Sequence, residues 1–220
     1  MDLQTWNDTQ YAREQAQKLV SYRRLNRFAR KGQIVLAGSS LMEFFPVNEL
    51  AQSLGLPYCI YNRGIAGYVS AQMREALAVQ VLELEPSKVF LNIGTNDLGQ
   101  NLDDQLWENY PAILQEIQAA LPQCRIYLMA YYPCNNRDDF GLPLQIQADM
   151  FRFRTPARLL EANRKVEALA QRFHCRYIDV NRGLCDQSGL LQASYATDGV
   201  HFYPDGYMPV LENLLPYLAE

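Results

Sequence analysis

Histidine is scarce in this chain: His174 and His201 are the only two in 220 residues. Neither lies in an H-E-x-x-H arrangement, so no catalytic zinc site is expected, and no metal of any kind. Cysteine is also sparse. The five cysteines are an odd number without C-x-x-C spacing. That excludes a disulfide framework or a zinc ribbon and predicts reduced thiols, as in a cytoplasmic protein. No apolar run approaches the ~18 residues that a membrane span requires. The first ten residues, MDLQTWNDTQ, are polar and acidic, unlike a secretory leader. Basic charge is not in excess, since the net charge is −4, and this disfavours a general nucleic-acid binder. No G-x-x-x-x-G-K-[ST] follows an apolar run, and Gly64-Ile65-Ala66-Gly67 lacks G-x-G-x-x-G spacing, so no nucleotide cofactor is implied. Internal repeats, low-complexity stretches and linkers are absent as well.

What is present suits one domain spanning 1–220. Hydrophobic residues make up 49% and charged residues 20%, enough to bury a sizeable core. An N-terminal extension over about 1–31 has helical composition. Arg13, Lys18, Arg23, Arg24, Arg27, Arg30 and Lys31 make it basic, and this is read as a solvated face. Tyr11, Leu19, Tyr22, Leu25 and Phe28 form the side expected to pack on the domain.

A rhythm follows. Apolar runs at Ile34–Ala37, Tyr58–Tyr61, Lys88–Ile93, Arg125–Tyr131 and Arg176–Val180 have strand length and no polar alternation, which predicts strands buried on both faces. Helical stretches separate them at Ala71–Leu84, Asp104–Ala120 and Pro156–Phe173, the last opened by Thr155 as N-cap. Leu41–Pro57 is less clearly helical. Asp205–Leu218 reads as a helix that Pro209 and Pro216 should interrupt. The alternation predicts an α/β fold: a three-layer α/β/α sandwich on a parallel five-stranded sheet, flavodoxin-like in topology. Pro133–Arg154 breaks the rhythm, polar at first and then apolar from Phe140 to Phe153. Two readings stand for it, a flap over a substrate pocket and an ordinary packed insertion.

In such a sheet, ligands bind beyond the carboxyl ends of the strands. Four clusters follow strands there: Gly38-Ser39-Ser40-Leu41, Asn62 to Gly67, Gly94-Thr95-Asn96-Asp97, and Asp198-Gly199-Val200-His201. Together they supply a hydroxyl, glycine backbone donors, a side-chain amide, and an acid with an imidazole. That is the inventory of acyl transfer. His174 stands near the start of the fifth run, away from this edge, which leaves His201 as the candidate base. Asp198 lies three positions before His201 on the same loop, within easy hydrogen-bonding reach. Asp97 is read as a loop-holding acid, Cys134 as an idle thiol, and Arg63 and Tyr68 as ordinary loop residues. No G-x-S-x-G elbow is present, so the α/β-hydrolase fold is not expected.

These four blocks, in this order, resemble those of the GDSL-type esterases, or SGNH hydrolases. They look most like bacterial acylhydrolases related to platelet-activating-factor acetylhydrolase subunits. The resemblance implies that Ser40 is the nucleophile, His201 the general base and then acid, and Asp198 its orienting partner. It implies an oxyanion hole of the Ser40 N–H, the Gly67 N–H and the Asn96 side chain. Ser39 stands where the family usually has Asp; the motif alignment favours Ser40 over Ser39 as nucleophile.

The expectation is therefore a metal-independent, cofactor-free serine esterase. It would act on a small-molecule ester, with short acyl groups preferred, through an acyl-enzyme on Ser40. The rival is a non-catalytic small-ligand binding module on a flavodoxin-like scaffold, in which Ser40 is only a contact.

Overall fold

Five apolar stretches pair side by side in register, and their pairing sets everything else. The computed structural model describes residues 3–220, the side chains of residues 3–5, 7 and 8 excepted; residues 1 and 2 of the expected extension lie outside the described residues. The strands are β1 (Ile34–Gly38), β2 (Ile60–Asn62), β3 (Lys88–Asn92), β4 (Arg125–Met129) and β5 (Arg176–Ile178). They form one sheet in the order β2-β1-β3-β4-β5, every neighbouring pair parallel. All of β1 is buried, which is why its sequence shows no alternation. Val35, Ala37, Val89 and Leu91 face one helical layer; Ile34, Leu36, Phe90 and Tyr127 face the other. The expected three-layer sandwich and five-stranded parallel sheet are both present.

The helices on the first face include α4 (Ser70–Glu75), α5 (Leu77–Gln80), α7 (Asp103–Ala120) and α9 (Pro156–Arg172). On the second lie α2 (Ser40–Glu43), α3 (Val47–Ser53) and α10 (Tyr207–Ala219). The short α6 (Thr95–Gly99) follows β3, and α8 (Leu144–Phe151) lies in the insertion after β4. Thr155 caps α9 as expected, its hydroxyl oxygen accepting from Arg158 N–H at 3.2 Å.

Two helical expectations are corrected. The stretch Ala71–Leu84 is not one helix; it breaks into α4, α5 and a 3₁₀ turn at Leu82–Leu84. Its buried residues Met73, Ala76, Leu77, Val79, Val81 and Leu84 cannot share one helical stripe, and the breaks turn each inward. Conversely, α10 runs unbroken through both prolines. Pro209 falls in the first turn, where its missing N–H costs nothing, and Pro216 lies exposed near the end.

The N-terminal helix α1 (Leu3–Asn26) differs from expectation in the face it buries. Tyr22 is buried and Leu19 packs beside it, but Leu25 and Phe28 are 53% and 85% exposed. The surface under α1 presents backbone carbonyls of the loop after β2 and of α5, so much of the contacting stripe is polar. Gln15 donates to Ala66 O, Tyr22 to Gly64 O and Asn26 to Val79 O, while Lys18 pairs with Glu43.

The strand order reverses between β1 and β3, and Gly38 pairs with Asn92 at their carboxyl ends. In a doubly wound sheet this is the point beyond which ligands are expected to bind.

Candidate active site

β1 ends at Gly38, and the chain turns at once into α2, with Ser39 as N-cap and Ser40 as its first residue. Ser39 is fully buried, and its hydroxyl has no partner. Ser40 instead meets an imidazole, its Oγ 2.9 Å from His201 Nε2. The other ring nitrogen, Nδ1, lies 2.6 Å from Asp198 Oδ2. A carboxylate accepts only, so Nδ1 carries the proton and Nε2 is left to accept from the serine hydroxyl. The three residues implied by the sequence thus form one continuous hydrogen-bond relay.

The loop carrying the acid and base holds itself rigid. Asp198 Oδ1 accepts from the N–H groups of Val200 and His201 at 2.9 and 2.8 Å. Thr197 N–H closes the turn onto His201 O at 2.9 Å. Burial alone would push the Asp198 carboxyl upward. Its hydrogen bonds to the His201 ring, the imidazole charge and the two amides outweigh that and hold it below the usual carboxylate range. Asp198 is therefore ionised at neutral pH. Phe44, at the end of α2, sets its ring edge-on to the imidazole, with centroids 5.5 Å apart.

The three donors that the resemblance implies for an oxyanion hole lie on separate elements. The Ser40 N–H belongs to the first turn of α2, where an amide has no intrahelical acceptor. The turn Ile65–Tyr68 presents Gly67, which adopts φ +74°. Asn96, in α6, donates through Nδ2 to Tyr68 O at 3.0 Å, while its Oδ1 accepts from Arg154 Nη2 at 3.1 Å. Arg154 also reaches Thr95 O at 3.3 Å, so the guanidinium fixes the Asn96 amide from behind.

The remaining candidates sit where the plainer reading put them. Asp97 is buried and accepts from Ser70 N–H at 3.0 Å and from its hydroxyl; burial pushes its carboxyl upward. Arg63 is buried against Asn26 and its own strand end, and Tyr68 is buried too. Burial pushes the Cys134 thiol up to about 11, which makes it an inert group. His174 lies exposed just ahead of β5, at the far end of the sheet, beside Gln118 and Cys175.

Pro133–Arg154 is packed and also adjacent to the relay. Asn135 N–H donates to Gly199 O at 2.8 Å. Gly199 has φ +85°, and a Cβ there would stand 2.2 Å from Asn135 O and 2.9 Å from the rings of Phe140 and Phe151. The insertion therefore braces the Asp198–His201 loop, while Leu144 and Ile146 remain exposed. Phe44, Arg154, Glu43 and Gln15 were not among the sequence candidates. None lies in a short motif of its own, and each acts through a distant partner.

Among the described residues, no group of three or more His, Cys, Asp or Glu could hold a metal ion. No described helix is long and apolar enough to cross a membrane.

Residues 38–208 match the model of the GDSL-like lipase/acylhydrolase family. Comparison with curated protein sequences gives no match. Among solved structures, a protein provisionally described as a platelet activating factor from Streptococcus pneumonia is 28% identical, with a TM-score of 0.86 and 97% of both chains covered. A GDSL-like lipase from Bacteroides thetaiotaomicron is 20% identical, with a TM-score of 0.71, covering 91% of this chain and 97% of that one. An acetylxylan esterase from Geobacillus stearothermophilus is 17% identical, with a TM-score of 0.63, covering 87% of this chain and 96% of that one.

Proposed function

Because this chain belongs to the GDSL-like lipase/acylhydrolase family and is thereby a carboxylic ester hydrolase, we propose that it works as a serine esterase through an acyl-enzyme on Ser40. The observation that carries this reading is the relay from Ser40 Oγ through His201 to Asp198, at 2.9 and 2.6 Å. Ser40 Oγ forms a bond to the acyl carbon as its proton passes to His201 Nε2. The carbonyl oxygen becomes an oxyanion held by the Ser40 and Gly67 N–H groups and Asn96 Nδ2. The carbon–oxygen bond to the alcohol then breaks, and His201 returns its proton to the departing oxygen. Water repeats the sequence against the acyl-enzyme and releases the acid. For its location we propose a reducing, cytoplasmic compartment, since all five cysteines are free thiols.

Asn96→Ala is expected to lower kcat by roughly 10²–10³ with little change in KM, because the lost donor meets full negative charge only in the transition state. Steady-state kinetics on p-nitrophenyl acetate check this. A change confined to KM would assign Asn96 to ground-state binding.

For the acyl group we propose short chains. Phe44 flanks the imidazole, and the Phe140 and Phe151 rings crowd the base loop. A longer chain gains ~0.8 kcal/mol per buried methylene only where the space exists to receive it. Acetyl to butyryl esters are expected to exceed octanoyl esters in kcat/KM. The test is a series of p-nitrophenyl acetate, butyrate, octanoate and palmitate, followed by acetylated carbohydrates. A maximum at octanoate or beyond would make the insertion a lipid-binding flap.

A further inference from the structure

The turn Ile65–Tyr68 is closed by Tyr68 N–H on Ile65 O at 3.2 Å. Gly67, at its third position, has φ +74°, and Ala66 is not in the left-handed region. That is the form of a type II turn. A type II turn differs from type I by a flip of its central peptide, here the one joining Ala66 to Gly67. The peptide is planar, and its carbonyl and N–H point opposite ways. In the orientation present, the Gly67 N–H is the proposed oxyanion donor. After a flip, the Ala66 carbonyl oxygen would face the oxyanion instead.

One side chain holds that carbonyl. Gln15, from α1, donates Nε2 to Ala66 O at 2.7 Å. Its own amide is oriented in turn: Gln72 Nε2 donates to Gln15 Oε1 at 3.3 Å, and Gln72 Oε1 accepts from Val69 N–H at 3.1 Å. The neighbouring peptide is pinned from the other side, where Ala66 N–H donates to Glu43 Oε2 at 2.6 Å, and Lys18 pairs with Glu43 at 2.8 Å. Tyr11, one turn before Gln15, covers Gly67 so closely that a Cβ there would lie 2.0 Å from the phenol oxygen. Tyr11, Gln15, Lys18 and Tyr22 follow helical spacing, so one stripe of α1 clamps the whole turn. Two physical effects follow from the Gln15 contact. It penalises the flipped peptide by stripping a donor from the carbonyl, and it polarises the same amide so that the Gly67 N–H donates more strongly.

We infer that Gln15 is a positioning residue for ester hydrolysis, holding the Ala66–Gly67 peptide with its N–H toward the oxyanion. Helix α1, outside the residues that the family model matches, is thereby part of the catalytic apparatus. The inference rests on the serine-esterase reading above.

The experiment compares Gln15→Met, of similar length without a donor, and Gln15→Glu, of the same shape with an acceptor in place of the donor. Ser40→Ala and the exposed-face control Arg13→Ala accompany them. Each is assayed on p-nitrophenyl acetate and on its thionoester, whose sulfur accepts hydrogen bonds weakly. Gln15→Met is expected to lower kcat on the oxygen ester about tenfold, less than loss of a whole donor, with KM unchanged. The thionoester rate should change little, so the ratio of oxygen ester to thionoester falls. Gln15→Glu should fall at least as far, and Arg13→Ala should match the parent protein. A general packing defect would slow both substrates alike. Full kcat in Gln15→Met, or equal losses on both substrates, overturns the inference while an inactive Ser40→Ala leaves the esterase reading standing. An active Ser40→Ala would overturn both.

Discussion

Ser40→Ala is expected to reduce ester hydrolysis by roughly 10⁴-fold or more, leaving only what binding and oxyanion contacts supply without a nucleophile. Covalent labelling by a fluorophosphonate should vanish with it, and denaturing the parent protein before labelling should have the same effect. Ser39→Ala is the informative partner. The two hydroxyls are adjacent in sequence, yet only Ser40 Oγ meets the imidazole. Ser39 Oγ is buried without a partner, so its removal strands no group and should leave both activity and stability close to the parent. Mass mapping of the label decides between them, and a label on Ser39 would reverse the assignment.

His201→Ala is expected to lower kcat by several orders of magnitude, while His174→Ala, exposed at the far end of the sheet, should leave it unchanged. Asp198→Asn should retain more activity than His201→Ala, since the imidazole remains while its orientation and charge support are weakened. The pH profile follows from the relay. The base must be neutral to accept the serine proton, so activity should rise with pH and then level. Asp198 is held below the ordinary carboxylate range, so at neutral pH it is the charged partner of the imidazole. A rate independent of pH through that range, with His201→Ala still active, would remove the relay from the mechanism.

The sheet was legible because its three central strands are buried on both faces, as Val35, Leu36 and Ala37 illustrate. The relay was legible because Asp198 and His201 share one loop and Ser40 follows the first strand directly. The contacts that hold the site are another matter. Gln15, Glu43 and Arg154 meet backbone atoms or an amide far away in sequence, and a bond to a carbonyl imposes no residue type on its partner. The α1 stripe was misassigned for the same reason. Apolar periodicity points to Leu25 and Phe28, whereas the surface beneath α1 rewards donors, and polar side chains carry no periodic signature when helices are read by hydrophobicity. The split of Ala71–Leu84 was hidden because each segment carries apolar residues that the core buries, and only the core decides which way each faces.

The relay also bears on how the chain reaches its working state. Ser40 and His201 are 161 residues apart in sequence, and Gln15 and Ala66 are 51 apart. Contacts of such separation cost loop-closure entropy before they return any stabilisation. Strand pairing of β1 with β3 and the local helices can be complete while the last loop still lacks its place. Catalytic competence is therefore a property of the fully assembled chain rather than of any sub-region. During refolding from denaturant it should be the final signal to recover, after the helical and sheet signals have already levelled. The same separation means that partial opening near the C-terminal helix disarms the serine without unfolding the sheet that carries it.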